Sequence, residues 1–187
     1  AKYQTYRGDI RAIVGVEGSL AFVTAHPEGV TTPLYWLDAD KITLQQDELP
    51  SSGVALAADG KTVYVGCQDR KLYVVGGRGG AKPLAGPFAG PIAAVVPISK
   101  KRVAVLNGRQ IDVISAKDGA AVQTLELPED GTALATDKTQ SWLVAGTSKG
   151  TVIAFDGDGR DEFEPGEPAK LHEGAVTALM FEPEELR

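Results

Sequence analysis

The sequence predicts an all-β protein in which one four-stranded unit recurs about four times. Three observations carry this expectation. Short runs of Val, Ile, Leu, Thr and Tyr alternate with punctuation, the 22 Gly and 11 Pro being spread along the whole chain rather than pooled in a linker. Runs of one kind return at a spacing near 40 residues. Turn dipeptides fall between neighbouring runs, at Glu17-Gly18, Asp59-Gly60, Asp118-Gly119 and Lys149-Gly150. Helical periodicity is hard to find. The one candidate is Pro183–Arg187, where Pro could open a turn.

The elements follow in order. First strands are expected at Ile10–Val16, Val54–Ala58, Ile92–Pro97 and Thr132–Thr136, with Val176–Phe181 beginning a fifth unit; their starts are about 44, 38, 40 and 44 residues apart. Second strands are expected at Leu20–Ala25, Thr62–Gly66, Arg102–Leu106 and Trp142–Gly146. Third strands fall at Leu34–Asp38, Lys71–Val75, Gln110–Ser115 and Thr151–Asp156. Looser fourth strands fall at Lys41–Leu44, Ala81–Leu84, Ala121–Leu127 and Ala169–Leu171. Four strands per period of about 40 residues is the length of a β-propeller blade. A blade cannot bury both faces alone, so neighbours packed around an axis supply the missing partner. Small residues on inner strands, among them Gly66, Gly146, Ala12, Ala94, Ala135 and Ala178, let the blades converge.

The run Leu143-Val-Ala-Gly-Thr-Ser-Lys-Gly-Thr-Val-Ile-Ala-Phe-Asp156 resembles the second hairpin of the WD40 repeat, with Lys149 where the family often has Asp and Phe155 where it has Trp. Val63–Val75 is a second copy that keeps the acidic position as Asp69. Leu171-His-Glu-Gly-Ala-Val-Thr-Ala-Leu-Met-Phe-Glu-Pro183 is similar to the segment that opens a WD40 unit, one residue shorter around the His. Ile111–Gly119 with Val122–Leu125 also resembles the quinoprotein-type propeller repeat. Either resemblance implies the same architecture: about four four-stranded blades with half-blades at both ends. Lys2–Tyr6 is expected as an outer strand before the first blade, and Val176–Phe181 as the start of a fifth. WD40 rings have six to eight blades, most often seven. The expectation is therefore a portion of a larger propeller, completed by a protein partner or an adjoining segment. Self-closure of so few blades would leave strand edges and apolar faces bare.

Composition narrows the function classes. The chain has 187 residues and a net charge of −6, which disfavours nucleic acid or an anionic membrane as its main partner. Hydrophobic content of 43% and charged content of 24% fit a globular chain. The single cysteine, Cys67, allows no internal disulfide. No apolar run reaches the roughly 20 residues of a membrane-spanning helix, and no secretory leader is recognisable at the start. A cytoplasmic protein with no cofactor is expected.

Candidate chemical residues are few. In WD40 blades the His at the position of His172 belongs to a relay with a strand hydroxyl, a turn Asp and a strand Trp. Thr147 could supply the hydroxyl, but Lys149 and Phe155 replace the other two, so His172 is read as packed in a loop between blades. His26 lies in the Pro-bounded loop Ala25–Gly29 and is read as exposed. Asp156, Asp158 and Asp161 form a D-x-D-G-like stretch that could suit calcium. Against that, Arg160 stands where an oxygen ligand is wanted and Asp161 where such loops need Gly. An extended, solvated loop is the simpler reading. Gly76–Gly80 opens no helix and lacks the P-loop Lys, so it is read as a flexible loop. Ser99–Arg102 is a short basic turn, and Cys67 is expected to be a buried structural thiol.

No nucleophile triad can be assembled from these spacings. The leading expectation is a non-catalytic interaction scaffold or sensor module. Its partner-binding rim would carry Arg7, Asp9, His26, Glu28, Gln68, Asp69, Arg70, Arg109, Lys149, His172 and Glu173. A lactonase- or quinoprotein-like propeller enzyme would need carboxylates and amides around a channel, for which Asn107 and Asp112 are the candidates. A calcium- or ligand-binding propeller is the other alternative.

Overall fold

A computed structural model of the chain describes residues 9–25, 33–38, 43–76, 80–98, 101–157 and 162–181. Its strands are β1 (Asp9–Val16), β2 (Ser19–Ala25), β3 (Pro33–Asp38), β4 (Thr43–Glu48), β5 (Gly53–Asp59), β6 (Thr62–Cys67), β7 (Leu72–Gly76) and β8 (Ala81–Ala85). They continue as β9 (Ile92–Ile98), β10 (Arg102–Asn107), β11 (Gln110–Ser115), β12 (Ala121–Glu126), β13 (Gly131–Thr136), β14 (Trp142–Thr147), β15 (Thr151–Asp156), β16 (Glu164–Pro165) and β17 (Ala169–Lys170). No helix occurs among the described residues.

Consecutive strands pair antiparallel into four sheets, β1-β2-β3-β4, β5-β6-β7-β8, β9-β10-β11-β12 and β13-β14-β15-β16, with β17 also on β15. The expected first, second and third strands of the four units are all present within a residue or two. The glycines of the four turn dipeptides, Gly18, Gly60, Gly119 and Gly150, all have positive φ, as tight hairpins require. Three expectations need correction. The first outer strand runs Thr43–Glu48 rather than Lys41–Leu44, following the full length of β3 that it pairs with. The last outer strand is broken into β16 and β17, because Pro165 and Pro168 have no N–H to give a continuous ladder. Residues 176–181 join no ladder, although the sequence predicts a fifth first strand there.

Strand alternation sends apolar residues to both faces of each inner sheet. In the second sheet Val63, Val65, Tyr73 and Val75 face one way and Tyr64 and Leu72 the other. The core is accordingly layered between sheets. One apolar cluster joins the first and second sheets through Ala21, Val23, Leu34, Val63 and Val65; another joins the second and third through Tyr64, Leu72, Ile92 and Val105; a third joins the third and fourth through Leu106, Val113, Leu143 and Phe155. Each fully buried aliphatic side chain in such a layer is worth about 1.5–3 kcal/mol.

The first strands β1, β5, β9 and β13 pack side by side in chain order, so the sheets stand like blades about one axis. Among the described residues, no apolar cluster spans the fourth and first sheets. The repeat is also written in the register. Each first strand bulges near its start against its second strand, at Ile10/Ala12, Gly53/Ala55, Ile92/Ala94 and Gly131/Ala133, after the first pair in β5, β9 and β13 and after the second in β1. Bulges of this kind turn a strand more sharply.

Candidate interaction rim

The sequence places its candidate binding residues in the turns between second and third strands and in the segments joining one sheet to the next. Hydrogen bonds bring these two sets together. Gln68 N, Gly108 N and Ser148 N donate to Ser52 O, Pro91 O and Asp130 O at 2.9, 3.2 and 2.8 Å, the same bond in three sheets. A second recurrent bond runs from Phe88 N, Leu127 N and Leu171 N to Arg70 O, Arg109 O and Gly150 O at 2.8, 2.9 and 2.9 Å. Turns and connecting segments are thereby fixed to one another on one rim.

Gln68, Arg70, Arg109, Lys149, His172 and Glu173 are exposed there, and Asp69 is half-buried. Asp9 is exposed at the start of β1. Arg7, His26 and Glu28 lie outside the described residues. Arg70 takes the left-handed backbone, φ 62°, at the turn position that Gly150 fills in the fourth sheet, and its Nη1 donates to Ala89 O at 3.2 Å. Arg109 Nη2 donates likewise to Pro128 O. Lys170 Nζ meets Glu173 Oε2 at 2.8 Å, and that bond and charge hold the Glu173 carboxyl below its usual range. The rim thus alternates cations with Asp69, Glu129, Asp130 and Glu173.

Asp69 also does structural work in its turn. It accepts from Tyr73 Oη at 2.7 Å and Lys71 N at 3.2 Å, while its own N–H donates to Ser51 Oγ at 3.2 Å. Burial, then the hydrogen bond and negative charge of Asp69, push the Tyr73 hydroxyl up to about 12. Burial and the same charge push the Cys67 thiol up to about 12. Cys67 is fully buried against the first sheet, the inert structural thiol the sequence predicts.

His172 departs from expectation: it is exposed on the rim rather than packed between blades. The hydroxyl that the WD40 resemblance would assign to its relay is committed elsewhere. Thr147 Oγ1 donates to Glu129 Oε2 at 3.0 Å and accepts from Thr151 N at 3.1 Å. The basic turn ending in Arg102 is smaller than it reads in the sequence, since Arg102 is buried with its guanidinium 5.6 Å from the centre of the Phe163 ring.

Asn107 and Asp112 are bonded into their own sheet. Asn107 Nδ2 donates to Asp112 Oδ2 at 2.9 Å and to Val105 O at 3.2 Å. Gln110 Nε2 and Thr124 Oγ1 add donations to Asp112 at 3.0 and 2.7 Å, and Gly90 N donates to Asn107 Oδ1 at 3.2 Å. This is a cross-strand tie from β10 through β11 to β12. Asp156 closes β15 opposite Glu164, and Asp158 and Asp161 lie outside the described residues. The loop is not wholly solvated, because Phe163 is buried. Among the described residues no three acidic, His or Cys side chains gather as a metal site.

Sequence reasoning missed the clasp that buries Phe163. Gln123 Nε2 donates to Phe163 O and Phe163 N donates to Gln123 Oε1, both at 2.8 Å, so one side-chain amide on β12 pairs with the next sheet as a strand would. The two residues are 40 apart, one blade period, and that spacing was the available signal.

Meander sheets stacked side by side through apolar layers define a β-propeller. Among solved structures, the β-propeller domain of Cps50 (Swd1) from Myceliophteria thermophila is similar, with a TM-score of 0.73 and 18% sequence identity. The match covers 92% of this chain and 58% of that one, so the chain spans a little over half the length of that domain. No family model matches the chain, and neither does any curated protein sequence.

Proposed function

We propose that the chain is a WD40-like interaction propeller, a non-catalytic scaffold or sensor module that binds a protein partner through the rim of Arg70, Arg109, Lys149 and His172. The observation that carries this reading is the twice-repeated hydrogen-bond pattern fastening turns to connecting segments. It fixes a mixed-charge loop surface on a rigid frame, the arrangement in which loops recognise proteins. On this reading the domain works in the cytoplasm, needs no cofactor and engages neither nucleic acid nor membrane. Further blades from a partner or an adjoining segment complete the ring.

The test is capture of binding proteins by the purified domain, compared with the Arg70→Glu, Arg109→Glu double variant. Loss of about tenfold in retained partner, with unchanged circular dichroism, is the expected result. Capture indifferent to both charges would overturn the rim assignment.

A further inference from the structure

We infer that the rim takes an extended acidic segment of a protein partner, whose Asp or Glu carboxylates are received in turn by Arg70, Arg109 and Lys149. The inference rests on the rim reading above and names the partner's chemistry. Its first support is the period. Arg70 and Arg109 hold the same position in successive turns, since the carbonyl of each accepts the recurrent bond from its connecting segment. Gly150 takes that position in the fourth sheet, where a Cβ would collide with His172 O, and the basic residue stands one place earlier as Lys149. One exposed cation therefore recurs in each of three consecutive sheets. The second and third of the four sheets are packed on both sides, and Arg70 and Arg109 are exposed there nonetheless.

The second support is that the charges of this row are unspent. A guanidinium carries five N–H donors. Arg70 gives one to Ala89 O at 3.2 Å and Arg109 gives one to Pro128 O, and both acceptors are neutral carbonyls. Those bonds fix the direction of each fork and leave its other donors for a planar carboxylate. Among the described residues neither guanidinium has a carboxylate within ion-pair distance, and the Lys149 ammonium has none either.

The acids beside the row are engaged with the protein itself. Asp69 and Glu129 are half-buried and bonded into the frame, Asp69 by the hydroxyl of Tyr73 and Glu129 by that of Thr147. Glu173 is paired with Lys170. Asp130 is the exception, exposed and with no bond to its carboxylate among the described residues. It opposes an acidic segment and so offers a position where the sign of the effect reverses. Apolar anchoring is not what this stretch of rim offers, because Phe88 and Leu127 of the connecting segments are buried.

The test is fluorescence anisotropy on the full chain, with a labelled peptide of about 12 residues carrying Glu at every third place. Packed sheets lie roughly 10 Å apart and an extended residue spans about 3.3 Å, which sets that spacing. The same peptide with Gln for Glu is the control. At low salt the Glu peptide should bind at least about tenfold more tightly than the Gln peptide. The double variant Arg70→Gln, Arg109→Gln should lose about tenfold, Lys149→Gln should lose about threefold, and Asp130→Asn should gain about twofold. The chain's net charge of −6 repels an acidic peptide elsewhere, so binding reports the row. The side chains of Lys149 and Asp130 hold no bonds among the described residues, so these two variants decide even where the double variant does not fold. Equal binding of the two peptides, or a Glu-peptide affinity indifferent to Lys149→Gln and Asp130→Asn, would overturn the inference. A captured partner that depends on Arg70 and Arg109 yet resists excess Glu peptide also overturns it and leaves the rim reading standing. A bound Glu peptide with no protein captured does the reverse.

Discussion

The boundary between the second and third sheets and the outer side of the fourth use the same contact with different backing. Gly66 accepts Ile92, which is locked in the β9–β10 ladder opposite Asn107. Gly146 accepts Val176, which no ladder holds. The pattern repeats in the connecting segments. Leu49, Phe88 and Leu127 each precede a first strand and are at most 8% exposed under it, whereas Leu171, bonded to its turn in the same way as Phe88 and Leu127, is 66% exposed. Burial at a given repeat position is therefore set by whether a following sheet covers it, since the residue types are alike. In a propeller the core belongs to pairs of blades.

The largest expected effect compares those anchors. Leu127→Ala should lower unfolding free energy by about 2–5 kcal/mol through the cavity it leaves between the third and fourth sheets. Leu171→Ala should change it by no more than about 0.5 kcal/mol. Urea unfolding of both variants checks the pair; equal losses would break the comparison. A smaller contrast lies at the niches. Gly66→Val drives two methyls into a fixed Ile92 and should cost about 1–3 kcal/mol of stability. Gly146→Val meets a segment that can lift away, so its loss should be less than about half as large, with faster proteolysis confined to 171–181.

The smallest effect asks whether the fourth sheet's own hairpin is sound, so that only its cover is unusual. Partial burial works to raise the pKa of Asp137, but donations from the Thr139 hydroxyl and from Trp142 N, Thr139 N and Ser141 N outweigh it and hold the carboxyl below its usual range. A carboxylate depressed in the folded state adds stability above its unfolded pKa of about 3.9 and loses it as pH falls through the lower folded value. The gap in Tm between the native chain and Asp137→Asn should be constant from about pH 7 to 5, then close below about pH 4. A gap unchanged at lower pH would deny the charge its role.

Much of this was legible in the residues. Alternating apolar runs and glycine turns located the strands because a sheet covered on both faces demands Val, Ile and Leu at nearly every position, as Val63–Val65 and Val103–Leu106 show. The rim turns were legible for the same reason, a shared period. Residues 176–181 read as a strand because their pattern matches a first strand, yet a strand needs a partner to pair with, and none is present among the described residues. The exposure of His172 and the burial of Arg102 were hidden for a related reason. Both depend on partners distant in the chain, Glu129 of the connecting segment taking the hydroxyl of Thr147 and Phe163 of the next sheet offering its ring to Arg102. Neither contact is written in the residues next to Thr147 or Arg102 along the chain.

Amide hydrogen exchange on the full chain tests the layered account most directly. Amides of β6 and β10, each enclosed between two neighbouring sheets, should exchange only through global unfolding, while those of 175–181, Val176 included, should exchange at least about 100-fold faster through local opening. Equal protection of 175–181 and of β6 and β10 would mean that this segment belongs to the cooperative core and that the outer side of the fourth sheet is sealed like the rest.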